Sequence, residues 1–201
     1  MSAGGAKMRL GVLGSGSGSN MQAILDAIQN GSLDAEIALV LSDVPDAYIL
    51  ERAKQAGIPC EMIDCQGYKT RFPDEAQLEV AKRLKSLGVD IVCLAGFMRL
   101  VKQPMLDVFP DRIINIHPSL LPAYPGLMAW KQAVDDGAQE SGCTVHYVDA
   151  GMDTGPIILQ AQVPVLSDDT AETLHTRIQE QEHQLYPKAI QQVWETHQKS
   201  N

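Results

Sequence analysis

Residues 91–95 read Ile-Val-Cys-Leu-Ala, and this near-continuous apolar run decides the fold class. A strand that carries apolar residues at every position is buried on both faces, as in a parallel sheet covered by helices. Around it, short β-branched runs alternate with longer amphipathic segments through the first half of the chain, which is typical of βαβ crossovers. The sequence therefore predicts an α/β fold with one doubly wound, mostly parallel sheet and helices on both faces.

The predicted elements extend along most of the chain. Strands are expected at residues 9–13, 35–42, 58–63, 89–95, 113–117, 143–148 and 157–163. Helices are expected at residues 20–29, 47–55, 74–86, 127–135 and 171–196. The last two strands are separated by residues 149–156 with no helix between them, which favours an antiparallel strand addition to the sheet in the C-terminal half.

Composition and charge argue against several classes of protein. The 201 residues include 16 Lys and Arg against 25 Asp and Glu, a formal net charge of −9. Broad binding to a nucleic-acid backbone requires clustered cations, so no nucleic-acid partner is expected. The longest apolar run, residues 91–98, is far short of the ~20 residues that cross a bilayer, so no membrane partner is expected either.

Length and cysteine usage complete this outline. A chain of 201 residues fits one domain, here residues 8–201, and residues 1–7 are expected to form a disordered N-terminal extension. Those first residues lack the apolar stretch of a secretion signal. The four cysteines contain no C-x-x-C pair, which fits a reducing cytoplasm.

A glycine-rich loop follows the first predicted strand and reads Gly14-Ser15-Gly16-Ser17-Gly18-Ser19-Asn20. Glycines let the backbone approach a ligand closely, and the helix start that follows offers free N–H groups to an anion. The spacing matches neither the dinucleotide fingerprint nor the Walker loop, so a phosphate monoester is favoured over a pyrophosphate. A tight strand-to-helix turn capped by Ser19 or Asn20 is the alternative, and the residues alone leave both interpretations open.

The segment Asn115-Ile116-His117-Pro118 is the most informative about chemistry. Side chains alternate along a strand, so Asn115 and His117 are expected on one face at the strand's carboxyl end, where α/β sheets bind ligands. Pro118 ends the strand there. A carboxylate from the later loop would raise the pKa of His117 and orient it, but spacing does not choose between Asp149 and Asp153. A half-buried histidine bonded to a backbone carbonyl is the alternative.

The other histidines, at positions 146, 175, 183 and 197, show no metal-ligand spacing and are interpreted as structural. No metal site is therefore expected. Residues 97–99, Phe-Met-Arg, follow the fourth strand and form either a ligand wall or an apolar loop packed on the sheet edge.

Four segments occur together in one order. They are Gly18-Ser19-Asn20, residues 95–99 (Ala-Gly-Phe-Met-Arg), residues 115–122 (Asn-Ile-His-Pro-Ser-Leu-Leu-Pro), and residues 142–146 (Gly-Cys-Thr-Val-His) followed by Asp153 and Gly155-Pro156. In this combination the chain closely resembles the phosphoribosylglycinamide formyltransferases, folate-dependent enzymes of purine synthesis. The resemblance covers residues 8–194 and implies the formyltransferase fold.

The resemblance implies transfer of the formyl group of 10-formyltetrahydrofolate, the co-substrate, to the amine of glycinamide ribonucleotide (GAR), without a metal. It implies that Asn115 binds the formyl oxygen, His117 supports the developing negative charge and Asp153 pairs with His117. The implied nucleotide-binding residues are Gly18, Ser19, Asn20, Gln179 and Glu182. The implied folate-binding residues are Arg71, Met98, Arg99, Leu100, Val101 and Asn115. The implied assembly is a monomer or a homodimer.

One position departs from the family pattern, and two other functions remain open. Many relatives carry a histidine where this chain has Met128, which puts a secondary proton-relay role at that position in doubt. Hydrolysis of 10-formyltetrahydrofolate would use the same residues, but hydrolases of this type carry a further N-terminal domain for which the residues before the first strand leave no room. A non-catalytic nucleotide-binding domain would need only the glycine loop, and the Asn115–His117 pair argues against it.

Overall fold

A computed structural model describes residues 7–199 of the chain. Of the predicted N-terminal extension, only Lys7 falls within this range, where it is exposed and outside regular structure; residues 1–6 lie outside the described residues. No helix within residues 7–199 is long and apolar enough to cross a membrane.

The described residues form one seven-stranded sheet with strand order β3-β2-β1-β4-β5-β6-β7. Its strands are β1 (Met8–Leu13), β2 (Ala35–Ser42), β3 (Cys60–Met62), β4 (Ile91–Leu94), β5 (Ile113–His117), β6 (Glu140–Tyr147) and β7 (Ile157–Pro164). The first five strands pair in parallel, and β6 and β7 add antiparallel at one edge. The predicted fold class is confirmed.

Residues 7–199 also contain six helices. They are α1 (Ser19–Gln29), α2 (Tyr48–Gln55), α3 (Asp74–Ser86), α4 (Gln103–Leu106), α5 (Ala129–Asp135) and α6 (Ala171–Lys199). The sequence did not predict α4, because its four residues are too few to show helical periodicity. The sequence also placed the start of β6 too late. That strand begins at Glu140, because its pairing with β7 continues to the Glu140–Pro164 pair.

The two faces of β4 contact two separate hydrophobic cores. Ile91 and Cys93 belong to the core under α1, α2, α5 and α6, whereas Val92 and Leu94 belong to the core under α3 and α4. Every residue of β4 is therefore apolar because successive side chains enter different cores, as the sequence predicted for a sheet covered on both faces.

The long helix α6 is fixed to the centre of the sheet by a buried tyrosine. The Tyr186 hydroxyl lies 2.8 Å from the carbonyl oxygen of Leu94, the last residue of β4, and 3.1 Å from that of Ile114, the second residue of β5. Tyr186 is fully buried. Glu182 precedes Tyr186 by one helical turn and contacts Asn20 in the first turn of α1, so it lies near the loop that follows the carboxyl end of β1.

Candidate active site

An open cleft lies at the carboxyl ends of β4 and β5. This is the edge at which open α/β sheets bind ligands. The lining combines apolar side chains with a few polar groups, namely Leu94, Phe97, Arg99, Leu100, Val101, Asn115, His146, Val148, Asp149, Gly151 and Asp153.

His117 and Asp153 form a buried pair beside this cleft. The Nδ1 atom of His117 lies 3.4 Å from Oδ2 of Asp153, and their side chains are only 6% and 12% exposed. The other ring nitrogen, Nε2, lies 2.9 Å from the carbonyl oxygen of Tyr124, an acceptor to which it donates. Both ring nitrogens therefore face oxygen acceptors, which fixes the plane of the imidazole.

The pKa of His117 reflects two opposing influences. Burial of the imidazole lowers its pKa below the ordinary histidine value, while the Tyr124 carbonyl and the Asp153 carboxylate partly oppose this shift. The lowered pKa favours the neutral imidazole at neutral pH, and in that form the Nε2–H donates to the Tyr124 carbonyl while Nδ1 carries no proton and faces Asp153. A proton that arrived at Nδ1 would meet a carboxylate.

Asp153 is held in place by the backbone of a different loop. Its Oδ2 atom accepts a hydrogen bond of 2.8 Å from the N–H of Gly126, and its own backbone has a φ of +56°. Burial acts to raise the pKa of Asp153, but hydrogen bonding to His146 and Gly126 and the nearby imidazoles outweigh it, so the pKa is lowered. Asp153 is thus a carboxylate at neutral pH. Asp149 instead bonds within its own loop, to Gly151 N–H and the Thr154 hydroxyl.

His146 lies in this cluster, although the sequence interpretation treated it as structural. The antiparallel register pairs His146 of β6 with Asn115 of β5, and Nε2 of His146 lies 3.2 Å from Nδ2 of Asn115. The Nδ1 atom of His146 lies 2.8 Å from the carbonyl oxygen of Tyr147 and donates to it, while Nε2 faces both the Asn115 amide and Oδ1 of Asp153, the latter 3.6 Å away. His146 therefore orients Asn115. The sequence signal for this role was the position of His146 in residues 142–146, one of the four segments that carry the family resemblance.

The glycine loop and α6 meet at Asn20. The amide Nδ2 of Asn20 donates to Oε2 of Glu182 over 2.9 Å, and the Oδ1 atom of Asn20 is buried without a partner among the described residues. Burial raises the pKa of Glu182 above its ordinary value, and the bond from Asn20 only partly opposes this. The two predicted nucleotide residues thus form one buried polar contact, while Gln179 is half-buried on α6.

The helix α1 begins at this loop without a side-chain cap. Its N-cap residue is Gly18, with a φ of +73°, and a Cβ atom there would lie 2.7 Å from Cα of Ile49. Only glycine fits both the conformation and the space. The first N–H groups of α1, beginning at Ser19, have no partner within the helix and remain available to an anion.

The predicted folate-binding residues differ in whether they line the cleft and in whether their side chains are free to contact a ligand. Leu100 and Val101 line it, whereas Met98 is 61% exposed and lies outside the lining set. Arg71 is exposed, with its guanidinium 5.4 Å from the centre of the Tyr68 ring. Arg99 lines the cleft, but its guanidinium is already paired within the protein and does not offer a free charge to a ligand carboxylate.

Residues 8–190 match the formyl transferase family.

The chain belongs to that family.

Curated relatives carry this formyltransferase domain in two settings. Phosphoribosylglycinamide formyltransferase of Escherichia coli (strain K12) is 41% identical over 183 residues, covering 91% of this chain and 85% of that protein. The Bacillus subtilis (strain 168) protein of the same name is 41% identical, covering 92% and 94%. The trifunctional purine biosynthetic protein adenosine-3 of Drosophila melanogaster is 47% identical over 186 residues, and the chain spans only 14% of that relative's length.

Solved structures of the family have the same fold. The glycinamide ribonucleotide transformylase 1 from Symbiobacterium toebii aligns with a TM-score of 0.88 at 54% identity, covering 93% of this chain and 87% of that one. Phosphoribosylglycinamide formyltransferase from Bacillus halodurans aligns with a TM-score of 0.86 at 45% identity, covering 92% and 94%. The resemblance inferred from the four sequence segments is confirmed.

Met128, the position that departs from the family pattern, lies outside the buried cluster. It is 51% exposed, has a φ of +55° and directly precedes α5, which begins at Ala129 rather than at Leu127 as predicted. Within residues 7–199, no group of three or more histidine, cysteine, aspartate or glutamate side chains is arranged to hold a metal ion.

Proposed function

We propose that this chain transfers the formyl group of 10-formyltetrahydrofolate to the amine of GAR, giving formylglycinamide ribonucleotide and tetrahydrofolate in purine biosynthesis. The observation that carries the proposal is the cluster of Asn115, His117 and Asp153 at the cleft. The bacterial relatives that match most of this chain bear the name of that activity.

The proposed reaction begins when the GAR amine attacks the formyl carbon and the formyl oxygen gains negative charge. Asn115 would donate a hydrogen bond to this oxyanion. Its amide is fixed beforehand by the contact with His146, so the donor needs little reorganisation in the transition state. Such preorganised donors are commonly worth about 10²–10³ in rate.

The attacking amine must also lose a proton. The neutral His117 has a free lone pair on Nδ1 and would accept this proton. The Asp153 carboxylate, 3.4 Å away, would stabilise the imidazolium that results. The new positive charge next to Asn115 would further stabilise the oxyanion. The tetrahedral adduct would then collapse: the bond between the formyl carbon and N10 of the folate breaks, and His117 returns its proton to N10, which gives tetrahydrofolate and formylated GAR. This mechanism requires neither a metal nor a covalent enzyme intermediate.

The two substrates would enter from opposite sides of this cluster. The phosphate of GAR would bind at Gly18, Ser19 and Asn20, at the positive end of the α1 helix dipole, with Gln179 and Glu182 nearby on the nucleotide side. The folate ring would lie against Leu100 and Val101, with Met98, Arg99 and Asn115 bordering it. The exposed Arg71 suits the folate carboxylates.

The proposed function also implies a location, an assembly state and a set of ligands. The enzyme would work in the cytoplasm as a monomer or a homodimer, with small molecules as its ligands and 10-formyltetrahydrofolate as co-substrate. Met128 would supply no proton relay, because a thioether has no titratable proton.

One assay distinguishes this function from the two alternatives. Purified protein is mixed with 10-formyltetrahydrofolate, with and without GAR, and the folate absorbance and product masses are recorded. Formyl loss that depends on GAR, with formylated GAR as the product, is the expected result. Formyl loss without GAR would identify a hydrolase. Absence of formyl loss in both mixtures, with GAR still bound, would identify a nucleotide-binding domain.

A further inference from the structure

A buried ion pair lies between the loops that follow β2 and β4. The Nε atom of Arg99 lies 2.6 Å from Oδ2 of Asp43, and the two side chains are 8% and 5% exposed. The guanidinium also donates through NH1 to the backbone carbonyls of Tyr68 and Arg71. One arginine therefore connects its own segment, the β2 loop and residues 68–71. The segment that contains Arg99 and residues 68–71 both include residues that the proposed function assigns to folate binding.

A serine hydroxyl connects this ion pair to the glycine loop. The hydroxyl of Ser15 donates to Oδ1 of Asp43 over 2.6 Å and accepts from the N–H of Met98 over 2.9 Å. The Ser15 N–H donates to the carbonyl of Gly96 over 3.0 Å. The glycine loop and the segment after β4 are in close contact here, because a Cβ atom on Gly14 would lie 2.7 Å from the carbonyl oxygen of Ala95.

We propose that Ser15, Asp43 and Arg99 form a positioning network that holds the folate-facing wall and connects it to the nucleotide loop, so that each substrate binds more tightly when the other is present. The proposal rests on the function proposed above. It assigns the Arg99 side chain to positioning rather than to contact with the folate.

The coupling follows from how the three loops share hydrogen bonds. A phosphate bound at Gly18–Asn20 restricts the glycine loop, and with it the Ser15 hydroxyl. The restricted hydroxyl fixes the Met98 N–H and one oxygen of Asp43, whose other oxygen orients Arg99. The folate then binds to a wall that is already ordered, and the ordering cost is incurred once rather than twice. Linkage requires the same factor in the opposite direction.

Calorimetric titration measures this coupling directly. GAR is titrated into the full chain, alone and with saturating tetrahydrofolate, which lacks a formyl group and so allows no turnover. In the unmodified protein, tetrahydrofolate should tighten GAR binding about 5-fold or more, the lower end of typical coupling. In Ser15→Ala this ratio should fall to about 1, and Ser15→Thr, which keeps the hydroxyl, should restore it.

Arg99→Lys tests the other end of the network. Lysine keeps the charge opposite Asp43 but has no planar fork to reach two carbonyls as well, so residues 68–71 lose their anchor. The Kd for tetrahydrofolate and the KM for the formyl-folate co-substrate should rise about 10-fold, while kcat and the Kd for GAR alone change less than about 2-fold. A merely destabilised enzyme would not show this split. If Ser15→Ala does not fold, this variant carries the test.

Two control variants match these changes outside the network. Ser32→Ala removes a hydroxyl that donates to the Ala27 carbonyl at the far end of α1, and Arg177→Lys alters the distant Arg177–Asp169 ion pair. Both should keep the coupling ratio of the unmodified protein. A ratio near 1 in the unmodified protein, or full coupling in Ser15→Ala, overturns the network. Unmodified protein that does not bind GAR, or does not formylate it, refutes the proposed function instead.

Discussion

Replacing Asp153 by asparagine tests the proposed mechanism most sharply. The change preserves the shape of the side chain and leaves an oxygen to accept the Gly126 N–H bond. It removes the negative charge 3.4 Å from Nδ1 of His117, so the imidazolium formed during proton transfer loses its counter-charge.

The distance sets the size of the effect. At 3.4 Å, with an effective dielectric constant near 20, a full charge pair attracts by ~5 kcal/mol. Desolvation of both groups offsets part of this attraction, which leaves ~3–4 kcal/mol, or about 10²–10³ in kcat. GAR affinity should remain within about 2-fold, because Asp153 acts on the transition state and not on the bound substrate.

The pH dependence supplies a second, independent result. Burial lowers the pKa of His117, and the Asp153 carboxylate partly opposes that shift. In the proposed mechanism the neutral form of His117 acts as the base, so kcat/KM should rise with pH through a pKa below the ordinary histidine value. Loss of the carboxylate removes an influence that raises this pKa. The acid limb of the Asp153→Asn profile should therefore lie at lower pH than in the unmodified enzyme.

Steady-state kinetics from mildly acidic to mildly basic pH, with folate absorbance as the signal, measures both effects. Asp149→Asn is the comparison on the same loop, since its carboxylate contacts Gly151 and Thr154 rather than an imidazole. It should lose far less kcat. Turnover of Asp153→Asn within about 10-fold of the unmodified enzyme, or an equal loss in Asp149→Asn, would refute the assigned role of Asp153.

Three further variants test other parts of the site. His146→Ala should lower kcat about 10- to 100-fold, because the Asn115 amide loses the contact that orients it. Glu182→Ala should raise the KM for GAR with a smaller effect on kcat, because it removes the side chain that holds Asn20. Tyr186→Phe should lower the free energy of unfolding by about 1–3 kcal/mol in denaturant titration and leave kcat nearly unchanged, because two buried carbonyls lose their donor.

Matched substitutions make these results interpretable. His197→Ala removes an imidazole that bonds to the Asp111 carbonyl on the surface, and Tyr48→Phe alters a half-exposed ring. Neither should change kcat, or the free energy of unfolding beyond about 0.5 kcal/mol. An unchanged kcat in His146→Ala, an unchanged KM in Glu182→Ala, or an unchanged stability in Tyr186→Phe would each contradict the corresponding argument.

Local patterns in the sequence were enough to predict the sheet, most helices and the position of the cleft. The apolar run at residues 91–95, the glycine loop and the Asn115–His117 alternation are all short-range features, each determined by backbone geometry within a few residues. The missed helix α4 has too few residues to show such a pattern. The start of β6 was misplaced because Glu140 is polar and exposed, and only its pairing with Pro164 makes it part of a strand.

Long-range pairing decided what the sequence left open. The choice of Asp153 over Asp149 depends on a bond to Gly126, 27 positions away. His146 reaches Asn115 only through the antiparallel register of β5 and β6, and Arg99 turns towards Asp43 across 56 positions. Periodicity reports which face of an element a residue occupies, but it holds no information about which distant group will meet that face. The chemistry of individual side chains was thus readable from the sequence, whereas their partners were set by the tertiary fold.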